Sequence, residues 1–446
     1  MGRPSRSRAL SVWANGQRVG TWTLPARGDM RWVYDPDWMT SDLGRPLSLS
    51  LPFTGATGLQ GAPVRHWFEN LLPDSEAIRL RLATRFRADS LEAFDLLEAI
   101  GRDCVGAIQL LGADDAPQNI RRIEGTPLDE GEVESLLTHA AGSGRSLVGQ
   151  GGDEDSLRIS LAGAQEKTAL LRHDGRWHRP LGATPTTHIL KLPLGLVGAR
   201  QADFGRSVEN EWLCLGLLRA FGLPTATATM LRFGRQKVLA VERFDRQLHS
   251  SGQWWLRLPQ EDFCQATGTA PLRKYEADGG PGIAEIASIL AGSVHAAADL
   301  RTFLKAQLLF WMLAAPDGHA KNFSLRILPR GRYALTPLYD VMSIWPIEGP
   351  GPNQFSWHQA RLAMALHGRH RHSRLKEVQR RHFNSTAARF FLRESAEDVI
   401  EEVLQGLEPA IAAVTRQLPA GFPEPVAAAI FDGLRRSARL LEAAPA

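Results

Sequence analysis

An α+β chain is expected from three observations: a hairpin signal at the start, short apolar strands around one strong helix between residues 157 and 248, and mainly helical spacing beyond about residue 259. At 446 residues with 43% apolar and 22% charged content, the chain can bury more than one core.

The hairpin comes first. Leu10 to Trp13 and Gln17 to Leu24 flank Asn15-Gly16, a pair suited to the positive φ angles of a two-residue turn. Leu47 to Leu51 alternates Leu and Ser and predicts a half-buried strand, while Ser75 onwards and Leu91 to Ile100 carry helix-spaced apolar residues. Residues 1–110 are therefore expected to form an N-terminal α+β accessory subdomain. From 111 to 156 the composition turns polar and rich in Gly and Asp, which predicts a linker with one short helix near Glu130 to Ala140. Residues 157–258 have the layout of a nucleotide-binding lobe, with a helix from Ser207 to Phe221 stopped by Leu223-Pro224. Residues 259–446 are expected to form a helical C-terminal lobe, with helices at Ile283 to Leu290, Leu300 to Ala315 and between Ala396 and Ala443.

Composition excludes some functions. The longest apolar stretch, Leu308 to Ala315, is far shorter than the roughly 20 residues of a membrane span. Cys104, Cys214 and Cys264 stand apart, without the spacing of a disulfide framework or a cysteine zinc site, so a reducing, cytoplasmic setting is expected. The net charge of +4 is too small for a general nucleic-acid binder, although Arg369, Arg371, Arg374, Lys376, Arg380 and Arg381 crowd a segment with Glu377 as its one acid.

The sharpest chemical signal is Asp317-Gly-His-Ala-Lys-Asn322, between an apolar helix and the strand-like Phe323 to Leu328. An Asp and an Asn five apart on such a loop match a kinase catalytic loop: the Asp orients or accepts the acceptor hydroxyl's proton, and the Asn holds magnesium. Asp340, at the end of Pro337-Leu338-Tyr339-Asp340, could supply a second, charged magnesium ligand. Each alone reads equally as a turn residue; their order carries the assignment. Upstream, Lys191 interrupts an apolar strand and could meet ATP phosphates, oriented by Glu209 or Glu211, between which the sequence does not choose. Val238 to Val241 runs into Glu242-Arg243-Phe244, placed where a kinase hinge meets adenine. Arg158 to Lys167 reads as a strand and a small-residue turn able to cradle phosphates.

Together with Pro46 to Pro52, Phe68 to Ser75, Ala162 to Lys167 and Leu258 to Asp262, the loop gives the chain a specific likeness: it resembles a full-length member of the HipA family, the kinase toxins of bacterial type II toxin-antitoxin pairs. The resemblance implies a bilobal kinase-like fold using ATP and Mg2+. It implies Asp317 as catalytic base, Asn322 and Asp340 as metal ligands, and Lys191 as the phosphate-binding lysine. It implies Ala162, Gly163, Ala164, Gln165, Glu166 and Lys167 as the phosphate loop, and Glu242, Arg243 and Phe244 as adenine contacts. His319, Lys321 and Tyr339 join the nucleotide-binding set. Ser160 corresponds to an autophosphorylated serine whose dianion would repel the nucleotide and silence the enzyme. Implied partners are a HipB-like antitoxin, a translation-related protein substrate such as an aminoacyl-tRNA synthetase, and operator DNA together with the antitoxin. Pro316, where relatives often carry a polar residue, departs from the pattern and restricts Ala315. The alternatives are a small-molecule or lipid kinase, and a non-enzymatic DNA-binding corepressor using Arg369 to Arg381 with Arg389 and Arg393.

Overall fold

The computed structural model describes residues 7–55, 57–140, 165–198 and 201–443. The contact pattern divides the chain into two compact units, one of residues 1–192, 231–272 and 325–332, the other of residues 193–230, 273–324 and 333–446.

The first unit opens with an antiparallel sheet in the order Leu59–Gln60, Arg31–Tyr34, Gln17–Leu24, Arg8–Ala14, Ile108–Gly112. Asn15 and Gly16 both take positive φ, 48° and 84°, as a two-residue hairpin turn of this twist requires. Helices Ala62–Glu69, Glu76–Phe86 and Ala93–Ile100 complete this region. The first and third of these bury Trp67, Phe68 and Phe94 in one core with Trp22 and Trp32 of the sheet. Trp22 stacks on Phe68 with ring centroids 3.9 Å apart. Buried rings of this size each remove about 150–250 Å² from water, and here they share the core with aliphatic residues such as Leu10, Val12, Leu72 and Ile100.

The expected strand from Leu47 to Leu51 is instead a tight turn, closed by the Leu51 amide on the Ser48 carbonyl at 3.1 Å. The serines explain the difference. Ser48 Oγ accepts from the Ser50 amide at 3.1 Å and Ser50 Oγ donates to the Gln265 carbonyl at 2.6 Å, so hydroxyls meet backbone needs that a strand ladder would otherwise meet.

A second sheet of this unit lays Gln236–Glu242, His188–Lys191, Lys167–His173, Arg176–Pro180 and Gly125–Leu128 side by side in that order. Part of the expected linker is thus a strand. The helix Glu130–Ala140 also contributes Val133 and Leu137 to a core with Leu170, Leu190 and Val238. Two apolar residues four apart are enough to bury one helical face, and the polar composition around them concealed it.

In the second unit, Ala296–Met312 is buried almost all round from Phe303 to Met312, which explains its weak apolar periodicity. Ser207–Ala220, Ile283–Leu290, Glu397–Thr415 and Glu424–Ala443 lie close to where the spacing predicts helices, and Arg380–Phe390 is a further helix outside those predicted. Lys305 of the buried helix is neutralised by Glu402, with Nζ and Oε1 2.6 Å apart. Among the described residues, no helix is long and apolar enough to cross a membrane.

Candidate active site

The buried helix ends in a way that delivers the Asp317–Asn322 loop. Ala314 takes φ 46°, its amide donates to Trp311 O at 3.0 Å, and the Ala315 amide donates to Phe310 O at 2.8 Å. These are the paired bonds of a Schellman motif, after which proline is a common stop. Pro316 therefore fits the loop geometry, because no helical donor is needed at its position.

The next residues fold into a compact turn. The His319 amide donates to Asp317 O at 2.8 Å and the Asn322 amide to His319 O at 2.9 Å. Asn322 Nδ2 donates to Asp317 O at 2.7 Å, so the two residues at the ends of the motif are held by one bond. Gly318 is required by packing: a Cβ there would stand 2.4 Å from the ring of Phe310. The Asp317 carboxylate is 48% exposed, whereas the His319 imidazole beside it is 5% exposed, with Nε2 3.8 Å from Asp317 Oδ1. Lys321 and Asn322 are buried with His319.

A third contributor comes from later in the chain. Leu338 donates to Pro224 O and accepts from the Ala226 amide, both at 2.8 Å, which fixes the segment ending in Asp340. Tyr339 Oη donates to Lys321 O at 2.9 Å and is also hydrogen-bonded to Ser324 Oγ. Asp340 is half-buried and adopts φ 59°, a left-handed conformation that costs roughly 1 kcal/mol or more outside glycine. Beyond it, Ser343 is clasped by Asn210, amide to Oδ1 at 2.8 Å and Nδ2 to carbonyl at 2.7 Å. Asp317, Asn322, Asp340, His319, Lys321 and Tyr339 are thus gathered in the second unit. The oxygen donors of Asn322 and Asp340 are of the hard kind that magnesium takes.

Sequence spacing missed Tyr275. Its phenol donates to Asp317 Oδ1, and its ring meets His319 edge-on with centroids 5.0 Å apart. The Lys274-Tyr275-Glu276 triplet carries no pattern of its own, and its only signal is one tyrosine among four in the whole chain.

In the first unit, Lys191 is buried and stands directly across the ladder from Lys167 on one side and Leu239 on the other. Two lysines opposed on one face of a sheet repel unless anions accompany them. Glu166 pairs with Arg81, and the Glu166 carbonyl accepts from the Leu192 amide at 3.2 Å. Gln165 Nε2 donates to Leu192 O at 2.5 Å. Ser160, Ala162, Gly163 and Ala164 lie outside the described residues.

Of the expected adenine contacts, Glu242 is exposed at its strand end and Phe244 is half-buried. Arg243 is instead enclosed by the fold. Its guanidinium is buried, donating to Asp245 Oδ2 and Cys104 O at 2.8 Å and lying 3.4 Å from Asp103. Arg246 and Arg257 join the same cluster at 2.9 and 3.2 Å from Asp103. Burial alone would raise the Asp103 carboxyl, but the three arginines and Thr186 outweigh it and hold it well below the usual range. The side chain of Arg243 is therefore structural, and only its backbone could meet a nucleotide.

Glu209 and Glu211 are both buried in the first turns of Ser207–Ala220, Glu209 paired with Arg206 at 3.4 Å. In the basic segment, Arg371 pairs with Glu276, Arg374 with Glu377, and Arg380 with Glu397 and Glu401. Much of that charge is already compensated within the fold.

Comparison with known proteins agrees with the geometry. Residues 10–111 match the HipA N-terminal domain and residues 159–411 the HipA-like C-terminal domain. Y4mE of Sinorhizobium fredii is 36% identical over 340 residues, covering 75% of this chain and 77% of that protein. The serine/threonine-protein kinase toxin HipA of Shewanella oneidensis is 28% identical over 377 residues, covering 81% and 79%. A solved structure of HipA from the Shewanella oneidensis MR-1 toxin-antitoxin system, in complex with HipB and operator DNA, matches with a TM-score of 0.76 at 23% identity over 96% of both chains. With both domains matched in order and a relative 36% identical over 75% of the chain, the chain belongs to the HipA family of serine/threonine kinases.

Proposed function

We propose that this protein transfers the γ-phosphoryl group of ATP to a serine or threonine hydroxyl of another protein and limits itself by phosphorylating Ser160. The observation that carries the reading is the closed Asp317–Asn322 turn, bound through Tyr339 to the segment bearing Asp340. Asp317 takes up the proton of the acceptor hydroxyl as that oxygen attacks phosphorus. Asn322 and Asp340 hold Mg2+, which when bound neutralises charge on the phosphates. Lys191 and Lys167 offer cations to those phosphates; Ala162 to Glu166 line them, and Glu242 to Phe244 meet adenine through backbone and ring. The acceptor class is a translation-related protein such as an aminoacyl-tRNA synthetase. A HipB-like antitoxin restrains the enzyme, and operator DNA is engaged together with that antitoxin. Family membership and the name of the Shewanella relative support this reading.

The test is incubation of folded, unphosphorylated protein with labelled ATP and magnesium beside an Asp317→Gln variant, with mass-spectrometric mapping. Label on Ser160 in the wild type and none in the variant is expected. Absence of label in both would overturn the autophosphorylating-kinase reading.

A further inference from the structure

The carboxylate of Asp317 is half-exposed, and an aspartate side chain of that kind turns broadly about its last torsion. A base that must meet one hydroxyl in one direction needs that torsion fixed. The main side-chain restraint visible is Tyr275, whose phenol donates to Oδ1.

Tyr275 is itself held on several sides. Its carbonyl accepts from the amides of Asp278 and Gly280, each at 3.0 Å, and the neighbouring Lys274 carbonyl accepts from the Ala320 amide of the catalytic turn at 3.2 Å. On the other side, Glu276 accepts from the Ala365 amide at 2.5 Å and pairs with Arg371 at 3.0 Å. The turn also depends on Gly280, where a Cβ would fall 1.8 Å from Arg273 O. A phenol mounted on so constrained a turn, with its ring edge-on against buried His319, has little freedom to swing from the carboxylate.

We propose that Tyr275 is a positioning residue for the phosphoryl-transfer step: it engages Oδ1 of Asp317, so that Oδ2 is the oxygen presented to the acceptor hydroxyl. This rests on the kinase reading above. As the acceptor oxygen bonds to the γ-phosphorus and the bond from that phosphorus to the ADP oxygen breaks, the hydroxyl proton passes to Oδ2. The phenol keeps its own proton throughout and gains no charge. Tyr275 touches neither substrate nor nucleotide in this role.

The test uses the full chain with Tyr275→Phe, which keeps the ring against His319 and removes only the hydroxyl. The expected result is a fall in kcat of about 10-fold with KM for ATP and Tm unchanged, because orientation of the base is lost while nucleotide contacts and packing remain. The same substitution in an Asp317→Glu background, where the carboxylate sits one methylene further out, is expected to change kcat less than about 2-fold. A purely structural role would lower Tm or reduce kcat equally in both backgrounds, and either result would overturn the proposal. So would a Tyr275→Phe enzyme as fast as an active wild type. Wild-type protein that transfers no phosphate at all would instead remove the kinase reading, and this one with it.

Discussion

The hydroxyl of Tyr339 donates to the carbonyl of Lys321 across 2.9 Å, joining the segment that ends in Asp340 to the turn that holds Asp317 and Asn322. One phenol therefore ties the segment bearing Asp340 to the turn in which Asn322 and Asp317 are already held together.

Replacing Tyr339 with Phe should break that bond and the one to Ser324 while leaving the ring in place. The Lys321 carbonyl would lose a partner in a largely buried setting, at a cost of about 1–3 kcal/mol. Urea denaturation should show that loss, and phosphoryl transfer at limiting magnesium should fall more than at saturating magnesium. Equal falls at both concentrations would mean that the bond supports the fold without setting the metal ligands.

Gly318→Ala should strain the catalytic turn, since the new methyl meets the buried ring of Phe310 at 2.4 Å. Overpacking of this kind costs about 1–3 kcal/mol, and displacement of the loop should reduce turnover by about 10-fold or more. Thermal melting and ATP turnover measured together would decide it. A variant with native stability and rate would show that Phe310 turns aside without cost.

The first unit should lose stability as the solution becomes basic, because of Glu261. Burial pushes its carboxyl up to about 8, against hydrogen bonds from Ser48 and the Leu49 amide that favour the charged form. The folded value lies above the ordinary one of 4.5, so the folded state holds this proton longer than the unfolded chain does. Stability is accordingly greatest below about 4.5, falls as pH climbs through the interval to about 8, and levels off beyond it, a change on the order of a few kcal/mol. In Glu261→Gln the carboxamide cannot ionise, and denaturation midpoints at pH 6 and pH 9 should differ less than in the wild type. Parallel losses in both proteins would place the sensitivity elsewhere.

What could be read from the chain follows from how local each signal is. The Asn15-Gly16 turn and the helices Ser207–Ala220, Ile283–Leu290 and Ala296–Met312 are written in adjacent residues or in a repeat of three to four, so their expected positions lie close to those observed, whereas Arg380–Phe390 is not among those predicted. The Asp317–Asn322 turn is contiguous and was legible for the same reason. Tyr275 lies 42 positions from the carboxylate it touches, and nothing local marks it. Nothing local marks the side chain of Arg243 as buried, because its partner Asp103 stands 140 positions away. The serines near Leu49 misled in the opposite sense, since an alternation that suits a strand also places hydroxyls where they can cap a turn. Pro316 suggested a disturbed loop until the left-handed Ala314 supplied the helix end that a proline naturally follows.

The cluster of Arg243, Arg246 and Arg257 around Asp103 and Asp245 ties the N-terminal hundred residues to the segment that follows the strand Gln236–Glu242. Asp103, with the Cys104 and Gly106 carbonyls that also receive these guanidinium groups, comes from the segment that closes the expected accessory region. A chain beginning after residue 110 would keep the three arginines and Asp245 but lose Asp103 and the Cys104 and Gly106 carbonyls, opening the cluster to water. Truncation there is therefore expected to loosen the sheet that carries Lys191, which would be read as a lower melting temperature of the shortened chain.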